Sequence, residues 1–427
     1  MRKMFATSLS EMFSKEVPEY VKFKQIVQES NEVFLHKNPS AIIDPEHRVL
    51  SEKHGAIRVG TPAEMRIVTR IFSVFGMQPV GFYDLTTLPK PLPVISTAFR
   101  PIDDSIQECA FRMFCSMLHP AFINPDIEQT MRLEERNSKF SKKLRTLLDL
   151  IEAYSNSNEM TYILQQEFIE EVVNAFRIDT LRPIFFPTYK NLRLRNDIFA
   201  DIVSVGININ HLTPRVYDIL DATNRLERAG VPMKDGGIEG PIIREGAVPI
   251  LLNQTSRKAP GEPLFVTNDA RNKIVENVPK IVMNVGETVD SYLDRIQTAL
   301  KINPVVEIEH KARFGEIEAR GVALTPKGEA LYKTLINSNR FIEDFPKTHT
   351  ELFIEDLAYY RPGMIPVTYE DFLATSAAGI FTSNLSIGTT YETNDNTNNL
   401  SNRVILEKAM NKKIIDHHEL YRLMINE

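Results

Sequence analysis

The dipeptide Thr-Pro occurs at residues 61–62, 213–214 and 325–326, and each copy lies between a predicted strand and a predicted helix. Threonine is a favoured helix N-cap, and proline at the first helical position loses no hydrogen bond there. The repeated dipeptide therefore predicts three strand–turn–helix units, of which the first two begin related βαβ-type modules. Thr-Pro is also a common start of unrelated helices, so the repeat needs support from the chemistry of neighbouring residues.

Helical periodicity dominates the first fifty residues and the stretch 105–200. In the first region Tyr20, Phe23 and Phe34 fall near one face of a 3.6-residue period, with Lys and Glu between them. In the second, Leu and Phe recur at the same spacing. We therefore expect N-terminal helices over 1–50 and an all-helical insertion over 105–200.

The remaining segments alternate between strand and helix patterns. Strands are predicted at 54–61, 79–86, 93–100, 201–212, 249–256 and 313–320, helices at 61–76, 213–230, from 325 and near 403–425, and a loop at 231–241. The α/β pattern thus occupies 51–104 and resumes over 201–324, and a C-terminal region of helices and loops covers 325–427.

Composition limits the kinds of site that the chain can build. A formal charge of -6, from 50 Lys+Arg and 56 Asp+Glu, argues against a protein whose main partner is a nucleic-acid backbone. Two cysteines cannot form a disulfide framework or a Cys-rich zinc site. Any metal must be held by carboxylates and by some of the nine histidines.

The sequence also predicts a soluble cytoplasmic protein. The N-terminal stretch MRKMFATSLSEMF is interrupted by Ser8, Ser10 and Glu11, which is not the pattern of a secretory signal. The long uncharged run at 373–391 is rich in Ser, Thr and Asn, which the ~20 apolar residues of a membrane span exclude.

Three residues near the predicted helix starts could bind a metal. His54, His211 and Glu316 lie on predicted strands, and two imidazoles with one carboxylate form the facial triad that binds Fe(II) and leaves positions open for substrate and oxygen. Isolated strand histidines are more often structural, and no local spacing links these three. Glu318 lies on the same strand face as Glu316 and is an equally placed alternative.

Arg58 shares a strand face with His54. The two Cα atoms are predicted ~13 Å apart, at ~3.3 Å per residue. A metal at one end and a guanidinium at the other suit a short ligand with an anionic group at each end, such as a dicarboxylic acid. The alternative for Arg58 is a surface salt bridge at the end of the strand.

Longer blocks of the sequence resemble a known family. They are HGAIRVGT (54–61), MQPVGFYDL (77–85), STAFR (96–100), NHLTPR (210–215), ILLNQTS (250–256), RFGEIEARGVALTPKG (313–328) and YEDFLATSAAGIF (369–381). Together, and in this order, they resemble the 2-oxoadipate dioxygenase/decarboxylase family of the vicinal oxygen chelate superfamily. The resemblance implies an α+β fold in which paired βαβββ modules form a cupped, barrel-like mixed sheet, with a helical insertion and helical N- and C-terminal parts in one composite body.

The resemblance also implies an activity and a set of site residues. It implies an Fe(II) enzyme that converts 2-oxoadipate and O2 to 2-hydroxyglutarate and CO2 in lysine catabolism. The family's metal ligands fall on His54, His211 and Glu316, and its substrate-carboxylate arginine falls on Arg58. Gln254 and Ser376 match stretches that line the family's substrate pocket.

Several features leave alternatives open. The stretch 257–312 is longer than expected for the family, which affects the expected substrate more than the metal site. The chain could instead be another vicinal oxygen chelate enzyme, catalysing ring cleavage or a lyase reaction, or a non-catalytic metal-binding or structural protein.

Cys109 and Cys115 are expected to be buried thiols in a helix-like segment. Adjacent His417 and His418 diverge by ~100° on a helix, so the sequence predicts that they do not share a metal.

Overall fold

A computed structural model gives the fold of the 427-residue chain. It describes residues 1–38, 46–87, 91–103, 106–123, 140–153, 161–177, 207–231, 316–337, 344–372 and 399–425, together with short strands and single residues between these ranges. No helix within these ranges is long and apolar enough to cross a membrane.

The N-terminal half contains three helices followed by one βαβββ unit and further helices. The elements are α1 Arg2–Glu16, α2 Glu19–Lys37, α3 Glu46–Ser51, β1 Lys53–Val59, α4 Pro62–Val74, β2 Gln78–Asp84, β3 Val94–Arg100, β4 Arg112–Leu118, α5 Lys142–Ala153, α6 Tyr162–Ala175 and the short α7 Asp197–Ala200. Single 3-10 turns lie at Leu85–Thr87 and Pro120–Phe122. The helices predicted within 1–50 are confirmed, and Tyr20, Phe23 and Phe34 are buried.

The second half repeats the unit and ends in helices. Its elements are β5 Ile209–Val216, α8 Ile219–Arg228, β6 Met233–Glu239, β7 Gln254–Lys258, β8 Glu316–Ala319, α9 Pro326–Asn337, α10 His349–Ile354, α11 Asn399–Met410 and α12 His417–Met424. Two-residue strand pairs outside the main sheet are Arg244–Glu245 with Val248–Pro249, Lys273–Ile274 with Val306–Glu307, and Tyr360–Arg361 with Ile365–Pro366.

The two units form one eight-stranded mixed sheet in the order β2-β3-β4-β1-β5-β8-β7-β6. In each unit the first strand pairs in parallel with the last, β1 with β4 and β5 with β8, and the other pairs within the unit are antiparallel. Antiparallel pairing of β1 with β5 joins the units at the centre of the sheet. The predicted α+β fold of paired βαβββ modules is confirmed.

Two of the three Thr-Pro dipeptides start helices as predicted. Thr61 caps α4 in a full capping box with Glu64. Thr325 Oγ1 accepts a hydrogen bond of 3.2 Å from the Gly328 N–H at the start of α9. The prediction for residues 213–214 was wrong, because that pair continues β5 opposite β1 and Asp218 supplies the N-cap of α8 instead.

The predicted helical insertion at 105–200 was wrong for residues 112–118, which form β4 and complete the first unit beyond residue 104. Every residue of β4 is buried, since alternate side chains enter the apolar clusters on both faces of the sheet. A strand covered on both sides lacks the alternating pattern that separates strands from helices. Cys115 therefore lies on a strand, although both cysteines are buried as expected, and part of the predicted loop 231–241 is β6.

Two apolar clusters cover opposite faces of the sheet. The helix-side core packs α1, α4, α5, α6 and α8 on one face and includes Phe5, Phe72, Leu148 and Phe168. The cup-side cluster lies on the other face and contains Ala56, Tyr83, Ala98, Phe114, Ile198 and Phe372, among others. Side chains on the cup side, including those of β1 that share the face of Ala56, are thereby kept from water.

Gly328, in the first turn of α9, lies against the backbone of Leu357. A Cβ on Gly328 would come within 2.0 Å of the Leu357 carbonyl oxygen, which itself accepts a hydrogen bond from the Thr325 N–H. We expect Gly328→Ala to lower the free energy of unfolding by about 1 to 3 kcal/mol, as overpacking does. Denaturant unfolding would measure the change. Helix propensity alone predicts that Gly328→Ala stabilises the protein by up to ~1 kcal/mol. A stabilised variant would therefore contradict the predicted clash with the Leu357 backbone.

Candidate metal centre

Three side chains predicted as ligands meet at the centre of the sheet. His54 lies on β1, His211 on β5 and Glu316 on β8, and these strands are neighbours. One potential ligand atom of each side chain lies within 4.8 Å of the other two. His211 Nε2 is 3.8 Å from Glu316 Oε2, and the two imidazole rings lie 5.7 Å apart at 87°. Pairing of the two units thus brings together residues that are more than a hundred positions apart.

The chemistry of this cluster fits a divalent transition metal. All three residues are at most 2% exposed. Burial lowers the pKa of His54 below its ordinary value of 6.5, so its imidazole is neutral near neutral pH and has a lone pair to donate. Two neutral imidazoles and one carboxylate are a donor set that leaves coordination positions open to other ligands.

Glu318 is placed behind His54 rather than within the cluster. Its Oε2 lies 3.0 Å from His54 Nδ1 and 2.7 Å from Arg112 Nη2. Burial raises the pKa of Glu318, but the guanidinium groups of Arg320 and Arg112 outweigh this effect and hold it well below 4.5. The carboxylate therefore accepts a hydrogen bond from Nδ1, which leaves Nε2 of His54 as the atom available to a metal.

Arg58 lies on β1, on the same face as His54 and two pleats further along the strand. Its side chain is buried, and Nη1 donates a hydrogen bond of 3.2 Å to Asn210 Oδ1. The alternative of a surface salt bridge is therefore wrong. The strand that carries His54 therefore also carries a buried cationic group on the same face.

Asn210 is a site residue that sequence reasoning missed. Ala56 pairs with His211 and Ile57 pairs with Ile209, so a β-bulge leaves Asn210 without a partner in the ladder. A bulge redirects the side chain of the extra residue, and here Asn210 reaches Arg58. Strict alternation would have assigned Asn210 and His211 to opposite faces, and no sequence signal marks the bulge.

A network of buried charges supports the cluster from behind. It consists of four arginines and four acids: Arg48, Arg112, Arg215, Arg320, Asp44, Glu52, Glu318 and Glu370. Burial raises the pKa of Glu52, but the charges of Arg320 and Arg215 bring it down to about 2. The Glu52 carboxylate is therefore ionised at neutral pH, and its ion pairs hold Arg215 and Arg320 beside the cluster.

Arg112 also connects the cluster to the chain at 370–372. Its Nη1 donates to the carbonyl oxygens of Glu370 and Asp371 at 2.9 and 3.1 Å. The Arg112 guanidinium stacks over the Phe372 ring, which packs edge-on against His54 with ring centroids 4.9 Å apart. One side of His54 is thus covered by an aromatic ring and the other is held by Glu318.

Two predicted substrate-binding residues are not placed by these contacts. Gln254 begins β7, where its backbone lies opposite Ala319 of β8, but its side chain is outside the described residues. Ser376 lies outside the described residues altogether.

Comparison with known proteins identifies the family. The sequence profile of 2-oxoadipate dioxygenase/decarboxylase matches residues 5–285 and 296–384. The chain belongs to the 2-oxoadipate dioxygenase/decarboxylase family. Relatives of that name are 35% identical in Mycobacterium bovis, over 100% of this chain and 97% of the relative, and 33% identical in Escherichia coli K12, over 99% and 95%.

A solved structure agrees with the family in fold. The hydroxyglutarate synthase of Pseudomonas putida, solved in complex with 2-oxoadipate, superposes with a TM-score of 0.76 at 27% identity, over 100% of this chain and 95% of that chain. The family resemblance inferred from the sequence blocks is therefore confirmed.

The contact between Glu318 and His54 predicts a second-sphere effect on metal affinity. Glu318→Gln keeps the volume but removes the charge that fixes the imidazole, and loss of such a partner weakens metal binding by ~10- to 100-fold. The dissociation constant for Co²⁺, measured by competition with a chelator, is expected to rise by that factor. Glu355→Gln, at an exposed glutamate, is the matched control. Equal affinities in the two variants would rule out this role.

Proposed function

We propose that this chain is a non-haem Fe(II) dioxygenase/decarboxylase that converts 2-oxoadipate and O2 to 2-hydroxyglutarate and CO2. The observation that carries the proposal is the buried cluster of His54, His211 and Glu316 with Arg58 on the same strand face. The names of the relatives and the 2-oxoadipate complex of the P. putida protein support the same substrate. The family likeness supports assigning the reaction to lysine catabolism.

In this proposal His54, His211 and Glu316 would hold Fe(II) and leave coordination positions open. Bound Fe(II) would act as a Lewis acid toward the 2-oxo acid and would pass electrons from the substrate to oxygen, so that the oxidised substrate supplies them overall. Glu318 keeps the His54 imidazole in one tautomer, and Phe372 holds that ring edge-on. These contacts pre-organise the ligands, so little reorganisation is needed when the metal enters.

Arg58 is proposed to bind the distal carboxylate of the substrate. A buried guanidinium can make two parallel hydrogen bonds to a carboxylate, which fixes both the position and the direction of the carbon chain. Asn210 orients Arg58 by accepting from Nη1. Gln254 and Ser376 are proposed as further substrate-binding residues on the strength of the family likeness alone.

The cup-side cluster is proposed to exclude water from the reaction. Ala56, Phe114 and Phe372 belong to it and are at most 4% exposed. A dry site strengthens the interaction of Arg58 with a carboxylate and protects reactive species from side reactions. A buried arginine in this position also disfavours the ring-cleavage alternative, whose substrate needs an apolar wall there.

Loading the protein with Fe(II) under anaerobic conditions and adding 2-oxoadipate in aerated buffer tests the proposed reaction. We expect one O2 consumed and one CO2 released for each 2-hydroxyglutarate formed, measured by an oxygen electrode and chromatography. His54→Ala removes one ligand and is expected to abolish turnover. His36→Ala, at an exposed histidine of α2, should match the parent. Oxygen uptake without 2-hydroxyglutarate, or an active His54→Ala, would refute the proposal.

Arg58→Ala is expected to raise KM for 2-oxoadipate by ~10- to 100-fold, as the loss of hydrogen bonds to a charged group predicts, while the iron content stays at the parent level. Steady-state kinetics and iron analysis measure the two quantities. The monocarboxylate 2-oxohexanoate lacks the distal anion, so its KM should change little in this variant. A similar rise for both substrates, or parallel loss of iron, would contradict a role in binding the distal carboxylate.

A further inference from the structure

A second cluster of potential metal ligands lies outside the site described above. Glu329 on α9 and the adjacent His417 and His418 at the start of α12 present ligand atoms that all lie within 4.8 Å of one another. Among the described residues, this group and the His54 cluster are the groups with that property. The two have the same donor set, but Glu329, His417 and His418 have side chains 23%, 24% and 13% exposed, so an ion can reach them from solvent.

The spacing of these atoms matches a coordination shell better than a close ion pair. His417 Nε2 lies 3.3 Å from Glu329 Oε1, and His418 Nε2 lies 3.6 Å from Oε2. Zinc–nitrogen and zinc–oxygen bonds of ~2.0–2.2 Å at tetrahedral angles put neighbouring ligand atoms ~3.3 Å apart. Direct charge-assisted hydrogen bonds are shorter, at ~2.7–2.9 Å.

The two rings converge although they are neighbours in sequence. Their centroids lie 4.1 Å apart with an angle of 39° between the planes, and each Nε2 faces a different oxygen of the one carboxylate. The expectation that ~100° of helical rotation would separate them was therefore wrong for these side chains. Long side chains at the first turn of a helix can fold back across its end, which the angular argument ignores.

The orientation of His418 is fixed from its other side. Its Nδ1 lies 3.3 Å from Tyr359 Oη, so Nε2 is the nitrogen that faces Glu329. Ligating histidines are commonly held in this way by an oxygen at the second ring nitrogen. Asp416 caps α12 through the His418 N–H and fixes the backbone that carries both rings.

We propose that Glu329, His417 and His418 form a second metal site for a divalent ion of the zinc class, with solvent completing its coordination. Imidazole and carboxylate donors suit Zn²⁺, Co²⁺ and Ni²⁺. The ion would join α9, which follows the strand of Glu316, to α12.

Contacts of α12 suggest what this second site does. Tyr421 Oη accepts from the Glu370 N–H at 2.8 Å and donates to Asp371 Oδ2 at 2.5 Å. The next residue, Phe372, packs against His54. An ion that fixes α12 therefore stabilises the segment that covers the first cluster, which makes the second site structural rather than catalytic.

Counting bound ions tests the second site directly. Metal-free parent, Glu329→Gln and His211→Ala proteins would each be dialysed against Co²⁺ at about pH 8, because protons compete less with a metal for imidazole as the pH rises. The parent should bind one more ion per chain than Glu329→Gln, and His211→Ala should retain that second-site ion. Addition of Co²⁺ should also raise the melting temperature of His211→Ala. It should not raise the melting temperature of the double variant that combines His211→Ala with Glu329→Gln.

The difference in bound Co²⁺ per chain between the parent and Glu329→Gln tests the second site even if His211→Ala fails to fold. His36→Ala should bind as many ions as the parent. Equal ion counts in parent and Glu329→Gln would show that the cluster is an ion pair only and overturn the proposal. The result is independent of the proposed reaction, because failure at the first site lowers the count of the parent and Glu329→Gln equally and preserves their difference.

Discussion

The antiparallel pairing of β1 with β5 is the contact on which the rest of the structure depends. It joins two βαβββ units that each lack a complete site, and it places His211 opposite Ala56, one pleat from His54. Glu316 then arrives on β8, the strand parallel to β5. A shift of register by one residue would turn every ligand on one strand to the opposite face, so the sheet itself enforces the geometry of the cluster.

Buried charges make that pairing specific at a substantial desolvation cost. Arg215 on β5 reaches Asp44 and Glu52, which precede β1, and Arg320 after β8 reaches the same Glu52. Removing one partner would leave an uncompensated buried charge, which costs more than the intact pair contributes. Members of the network share partners, as Glu52 does between Arg215 and Arg320, so each member limits the positions open to the others. We infer that its role is to fix the three central strands in register.

The sequence predicted structure correctly where a residue's conformation depends on its neighbours in the chain. It predicted less where the conformation depends on pairing within the sheet. Thr61 starts α4 through a local capping motif with Glu64, and the helix start at this Thr-Pro pair was predicted correctly. β4 is buried on both faces, so its sequence lacks the alternation of apolar and polar residues that indicates a strand. Asn210 reaches the site through a β-bulge, which the alternation of side chains along a regular strand does not predict. Glu316 and Glu318 share a strand face, so strand alternation cannot tell which of them is the metal ligand. The structure distinguishes them because Glu318 contacts His54 Nδ1. The family resemblance supplied the ligand set because it carries this three-dimensional information in its long blocks.

Charge balance links the proposed metal to the proposed substrate. A divalent ion held by Glu316 would keep one unit of positive charge in a dry site, and Arg58 presents a guanidinium on the same strand face as His54. A 2-oxo dicarboxylate has an anionic group at each end, so one end can bind the ion while the other binds the guanidinium. A monocarboxylate has no second anionic group and would form fewer charge-assisted hydrogen bonds in the site. Selection for dicarboxylates therefore follows from binding at both ends, and it requires metal and arginine to lie on one strand face.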